Sequence, residues 1–197
     1  FFRKDLINFL NNKEFFTKIL VATIPVAFVG YILHITGIIH NLRSIEVIAW
    51  TTLVFGIILY LSDKKKINKT LNNEFKYKSA IIIGLFQILS LVPGVSRSGI
   101  TITAGRLLGF NRIDSSKVSF FLSIPTLGAA SIFGLYNLNQ EGNPELNILA
   151  LAAIFLSFFF SYLTIKLFFN YIKKFSLNLF VIYRIILSTI LLYIIYL

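Results

Sequence analysis

Along this chain, apolar runs about twenty residues long alternate with short polar segments, a pattern that predicts membrane-crossing helices. Five runs fit: 18–38 ("KILVATIPVAFVGYILHITGI"), 46–62 ("EVIAWTTLVFGIILYLS"), 117–137, 147–171 and 179–197. Segment 79–110 breaks the pattern. Its two apolar pieces, 79–92 and 99–110, are each too short to cross roughly 30 Å of hydrocarbon at about 1.5 Å per residue, and "PGVSRSG" divides them. The predicted fold class is an all-α integral membrane protein: a polytopic helical bundle of about five spans plus one helical hairpin, in a single transmembrane domain over 1–197.

The polar segments settle how that hairpin lies. Fifteen basic residues fall in 1–18 (Arg3, Lys4, Lys13, Lys18), 63–78 (Lys64, Lys65, Lys66, Lys69, Lys76, Lys78), 106–117 (Arg106, Arg112, Lys117) and 172–178 (Lys173, Lys174). The alternate segments, 39–46 and 138–146, hold one base, Arg43, and the second also carries Glu141 and Glu145. Short loops rich in Lys and Arg stay in the cytoplasm. Segment 79–110 then begins and ends on the same side, which makes it a re-entrant hairpin with its tip at 93–99.

Composition agrees with a membrane address. Of 197 residues, 56% are hydrophobic and 14% charged, against about a quarter charged in soluble domains. The net charge of +11 is placed as an orientation signal rather than as a nucleic-acid surface, so no nucleic-acid partner is expected. The absence of cysteine excludes disulfides, thiolate metal sites and a Cys nucleophile. The chain opens on "FFRKD" with no methionine anywhere, and reads as a piece lacking its N-terminal portion.

The hairpin tip carries the candidate chemistry. Pro93 has no backbone N–H to donate and Gly94 tolerates left-handed geometry, so the first half-helix is expected to end there. Ser96 or Ser98 can cap the second half-helix. Irregular backbone at this depth survives only when buried in protein or lining a wet cavity. The tip gathers the Arg97 guanidinium, the hydroxyls of Ser96, Ser98 and Thr101, and the N–H groups of a helix start, which together suit a phosphoryl group. The plainer reading is a helix break whose hydroxyls satisfy loose carbonyls, with an arginine that snorkels. An intramembrane arginine costs at least about 2.5–3.5 kcal/mol and usually marks a site, which favours the anion reading.

Other positions carry less. Gln87 lies on one face of the first half-helix, placed to hydrogen-bond across the bundle, and joins Ser98, Gly94 and Arg184 as a candidate substrate contact. Arg184, one turn into the last span, fits both a snorkelling and a site-facing role. His34 and His40 sit at the outer end of the first span, where an interfacial role is expected, and Lys166 is placed to snorkel. Gly105, Gly109 and the "LGAAS" stretch at 127–131 read as close-packing surfaces.

The stretch "IGLFQILSLVPGVSRSGITITAGRLLGFNR", followed by "VSFFLSIPTLGAA", resembles the second half of the undecaprenyl-pyrophosphate phosphatase family, also known as the bacitracin-resistance phosphatases. That family's PGxSRSxxT motif is matched by Pro93, Gly94, Ser96, Arg97, Ser98 and Thr101. "ILVATIPVAFVGYIL" and "FVIYRIIL" are similar to its other stretches, so the resemblance covers nearly the whole chain. It implies an inverted-repeat enzyme of the bacterial plasma membrane, with its pocket open to the periplasm. Such an enzyme removes the terminal phosphate of undecaprenyl diphosphate and recycles the lipid carrier for cell-wall synthesis. It also implies catalytic roles for Ser96, Arg97 and Thr101, a polyprenyl diphosphate substrate, a surrounding of membrane lipids, and a Mg²⁺ or Ca²⁺ cofactor; a homodimer is compatible with it.

One departure is informative. The family's acidic motif, E/Q-x-x-x-E followed by Pro, Ser and His, does not occur here. The resemblance therefore places the metal ligands outside this chain and predicts that the 197-residue piece alone is inactive. The runner-up reading is a transporter or flippase for polyprenyl phosphate or another anion, since re-entrant helices and inverted repeats also build transporters.

Overall fold

The computed structural model describes residues 12–38, 42–67, 69–141 and 144–197, with side chains described for these except 72–73, 133 and 135–147. His40 and the basic pair Arg3 and Lys4 lie outside the described residues. The helices are α1 (Lys13–Thr36), α2 (Ile45–Asp63), the short α3 (Leu71–Glu74), α4 (Tyr77–Ile88), α5 (Arg97–Leu107), α6 (Arg112–Glu141), α7 (Pro144–Lys174) and α8 (Asn178–Tyr196). Among the described residues, four stretches are long and apolar enough to cross a membrane: α1, α2, Ile148–Lys174 within α7, and α8. The chain is a polytopic helical membrane protein.

The span expected at 117–137 lies within helix α6, whose side chains are described up to 132 and at 134. Ser115, Ser116 and Ser119 at its start are buried against the bundle.

α4 and α5 form the hairpin. α4 tightens into a 3-10 turn at Leu89–Leu91, and Val92 is extended (ψ 124°), as the residue before proline prefers. The tip is shorter than the sequence indicated: α5 starts at Arg97, so 97–99 are its first turn. Twelve residues of α4 rise about 18 Å, roughly half the thickness of a bilayer's hydrocarbon core.

Both ends of the hairpin sit among the basic segments. Lys69 N–H donates to Gly109 O (3.2 Å), Leu71 N–H to Asp114 Oδ2 (3.1 Å), and the Thr17 and Tyr77 hydroxyls meet at 3.0 Å. A buried carboxylate organises the same end. Asp63, at the foot of α2, accepts from Arg112 Nε (2.7 Å) and Nη2 (3.0 Å) and from Leu177 N–H (3.1 Å). Arg106 Nη2 donates to the backbone carbonyls of Asp63 (2.7 Å) and Lys65 (2.9 Å). The feet of α2, α5, α6 and α8 are thereby tied into one knot.

α5 has little apolar character of its own, yet Ile100 through Arg106 are all buried. It lies between two apolar clusters. Ala104 joins Ile19, Ile83 and Leu122 of α1, α4 and α6; Ile102 joins Leu59, Phe169 and Val181 of α2, α7 and α8. A weakly apolar half-helix is stable in a bilayer only when protein surrounds it in this way. Long helices face outward instead: residues 151–164 of α7 are exposed throughout, the surface a lipid solvent accepts.

Candidate functional site

The tip's geometry is imposed from outside it. Within it, Val95 N–H reaches Val92 O at a long 3.4 Å. Three successive carbonyls instead find partners on two spans. Pro93 O accepts from the Thr51 hydroxyl (2.6 Å), Gly94 O from the Thr52 hydroxyl (3.2 Å) and Arg184 Nη2 (2.5 Å), and Val95 O from the same Nη2 (3.0 Å). Gly94 sits at φ +89°, and a Cβ there would lie 2.2 Å from Thr51 Oγ1 and 2.6 Å from Ile48 O. Only glycine meets both conditions.

Ser96 is the one non-glycine residue with positive φ among the described residues (φ 67°, ψ 115°). Such backbone costs about 1–3 kcal/mol and persists only where surroundings over-determine it. Its Oγ caps α5 by accepting from Gly99 N–H at 3.3 Å, and its own carbonyl accepts from Ile100 N–H at 3.0 Å. The N–H groups of Arg97 and Ser98, in the first turn of α5, have no intrahelical acceptor, as at any helix start.

Beside this helix start lies a cavity of about 700 Å³. Ser96, Arg97, Ser98 and Arg184 line its polar end, and Ser123, Ser157, Ser161 and Thr164 bring further hydroxyls. Leu59, Ile102, Phe120, Phe160, Phe168 and Phe180 form apolar wall. Arg97 Nη1 is buried without a hydrogen-bond partner, and so is Nε of Arg184, a residue that is 3% exposed. Two guanidiniums line one space, and among the described residues no carboxylate lines it. That arrangement attracts an anion.

The structure divides the candidates read from sequence. Ser96, Arg97, Ser98 and Arg184 meet in the cavity. Of the two roles left open for Arg184, snorkelling is ruled out by its bonds to the tip. Three candidates lie outside the cavity lining. Gly94 faces α2 instead of the cavity, because its missing side chain makes room for Thr51. Thr101 is 1% exposed, with its hydroxyl 2.7 Å from Ser119 Oγ, so it joins α5 to α6 behind the site. Gln87 is fully buried, does not line the cavity, and has neither amide atom paired. The glycines also divide: Gly105 packs closely on Ser115, Gly109 makes a turn at φ +96°, and Gly128 has nothing near it.

Sequence reasoning missed Thr51, Thr52 and the hydroxyl stripe at 157, 161 and 164. The stripe did carry a signal: i, i+4, i+7 spacing puts three hydroxyls on one face of an otherwise apolar helix. The cavity's donors do not suit a divalent cation. Guanidiniums repel one, hydroxyls alone hold it weakly, and Asp63 is occupied by Arg112 and Leu177 N–H. Among the described residues no cluster of three His, Cys, Asp or Glu side chains forms.

A hairpin of two short helices inside a bundle of membrane-length helices, with two arginines lining a half-apolar cavity, defines a polytopic helical membrane protein. The chain belongs to the family described as bacitracin resistance protein BacA, whose model matches residues 1–190. It is 52% identical over 197 residues to the undecaprenyl-diphosphatase of Pelagibacter ubique (strain HTCC1062), spanning all of this chain and 77% of that relative. Similar proteins of the same name occur in Jannaschia sp. (strain CCS1), 39% identical over 90% of this chain and 67% of the relative, and in Methanococcus aeolicus, 36% identical over 93% and 73%.

Proposed function

We infer that this protein is an undecaprenyl-diphosphatase. It hydrolyses undecaprenyl diphosphate with one water to undecaprenyl phosphate and inorganic phosphate, which returns the lipid carrier to cell-wall synthesis. One observation carries the site assignment: two arginines, each with a buried unpaired nitrogen, line a cavity with a helix N-terminus at one end and aromatic wall around it. A lipid diphosphate needs both ends.

In this reading the diphosphate lies against the first turn of α5. Arg97 clamps its oxygens, and Ser96, Ser98 and the open N–H groups orient them. Arg184 holds the tip with Nη2 and adds positive charge beside Gly99. Charge that builds on phosphate oxygens in the transition state is stabilised by these fixed donors, the main lever in phosphoryl transfer. The first units of the prenyl chain lie along Ile102, Phe120 and Phe168. Thr101 acts from behind, fixing α5 on α6.

Two further parts belong to the proposal. The cavity opens to the outer face of the bacterial plasma membrane, with the basic end in the cytoplasm. A Mg²⁺ or Ca²⁺ ion is required, with ligands outside the cavity residues described here, and no step is assigned to it. Removing divalent cations from the complete protein should abolish turnover, and adding Mg²⁺ or Ca²⁺ back should restore it. Activity that persists in chelator would remove the metal from the proposal.

The function is tested with the complete protein in detergent, assayed for phosphate release from undecaprenyl diphosphate. Stoichiometric phosphate and undecaprenyl phosphate are expected. Labelled lipid crossing a liposome bilayer with no phosphate released would point to the transporter instead; no feature of the cavity or its relatives favours that alternative.

A further inference from the structure

We propose that Thr51 and Thr52 are positioning residues for the diphosphate site. With Arg184 they take up the tip's carbonyls, so that the tip turns donors and not acceptors toward the cavity. The inference rests on the reading of that cavity as the diphosphate site.

The tip is five residues, 92–96, whose peptide planes no regular helix fixes. Each plane presents either an N–H or a carbonyl to a given side, and a carbonyl turned into the cavity would set negative charge against a diphosphate. Pro93, Gly94 and Val95 direct their carbonyls at Thr51 Oγ1, Thr52 Oγ1 and Arg184 Nη2, at 2.5–3.2 Å. With those three acceptors held, the positive-φ backbone of Ser96 follows, and its hydroxyl and the α5 first turn face the cavity.

The two threonines are not ordinary hydroxyls of a membrane helix. Such a hydroxyl usually returns to a carbonyl one turn back. Thr51 Oγ1 makes that back-bond to Val47 O (2.7 Å) and lies as close to Pro93 O (2.6 Å), so its proton serves the tip as well as its own helix. Thr52 bonds to Gly94 O and to no carbonyl of its own helix, and it is 5% exposed. Two adjacent side chains of α2 thus reach two adjacent carbonyls of a segment 42 residues away. Gly94, with no Cβ, allows the approach.

The test uses the complete protein in detergent. The Thr51→Val/Thr52→Val double variant keeps shape and removes both donors; Thr51→Ser/Thr52→Ser keeps the donors. KM and kcat are measured for undecaprenyl diphosphate, together with Ki for inorganic pyrophosphate as a competitor. The valine variant is expected to raise KM and Ki in parallel by about tenfold, and the serine variant to stay within about twofold of the parent. If the double variant does not fold, the single Thr52→Val and Thr52→Ser proteins carry the same comparison. A valine variant with parental Ki, or one that loses kcat alone, would overturn the inference. Arg97→Ala separates the two levels. If it raises Ki and the valine variant does not, the positioning role fails alone; if it leaves Ki unchanged, the diphosphate reading itself fails.

Discussion

Arg184 holds Gly94: its Nη2 donates to the Gly94 carbonyl at 2.5 Å and to the next carbonyl, Val95, at 3.0 Å, across 89 and 90 residues of chain. The last span therefore shapes the hairpin tip directly. Gly56 clears the path, since a Cβ there would touch Arg184 Cβ at 3.4 Å. Arg184→Ala removes the one nitrogen that serves both carbonyls. A buried carbonyl left short of a partner costs about 1–3 kcal/mol, so kcat/KM should fall by roughly 10- to 100-fold in a phosphate-release assay. Parental kinetics in the alanine variant would mean that this contact has no part in the site.

Gly99 gives a smaller lever on the same contact. A methyl at this position would sit 2.9 Å from Arg184 Nη1 and 3.2 Å from Ser96 Oγ. Gly99→Ala should therefore lower turnover by about tenfold with little change in Tm, since the guanidinium can give way. Gly94→Ala should behave differently, losing stability as well, because Ile48 backbone and φ +89° leave no room to adjust. Thermal unfolding followed by Trp50 fluorescence separates the two.

The knot at Asp63 bears on stability more than on chemistry. Asp63→Asn leaves the buried Arg106, and the part-exposed Arg112 beside it, without a countercharge. Breaking a buried pair from one side costs about 3–5 kcal/mol, so Tm should drop by several degrees. KM for undecaprenyl diphosphate should stay near the parent value in the protein that remains folded. A raised KM without loss of Tm would place Asp63 in the site.

The apolar wall should sense the lipid's tail. Phe168 contacts the aromatic cluster of Phe120 and Phe180 at ring-centroid distances of 5.8 and 5.3 Å beside the cavity. Leu127, on α6 and lining the same space, is half exposed. Leu127→Trp should narrow the cavity and raise KM for undecaprenyl diphosphate by about tenfold, while a short-chain prenyl diphosphate is affected less. Equal effects on both substrates would place the tail elsewhere.

Much of this was legible in the sequence, for physical reasons. Helix length and apolarity report membrane spans because the bilayer sets both. Pro93, Gly94 and Ser96 act through local backbone rules, and the turn and cap could be read from them. Direction around a helix could not be read. Thr101 and Gln87 sit one turn or so from the tip, yet both are buried away from the cavity, because their facing is decided by α6 and the rest of the bundle. Arg184 remained ambiguous for the same reason: its partners are backbone carbonyls, which leave no trace in a side-chain pattern. Thr51 and Thr52 looked like any hydroxyls in a membrane helix.

Arg97 is the residue on which the diphosphate site stands, and phosphate release by Arg97→Ala and Arg97→Lys in the complete protein tests it most directly. With Tm near the parent, Arg97→Ala should lose at least about 100-fold in kcat/KM, and Arg97→Lys should recover only part of that, since an ammonium cannot reproduce the guanidinium fork. Turnover like the parent's in folded Arg97→Ala protein would contradict the assignment.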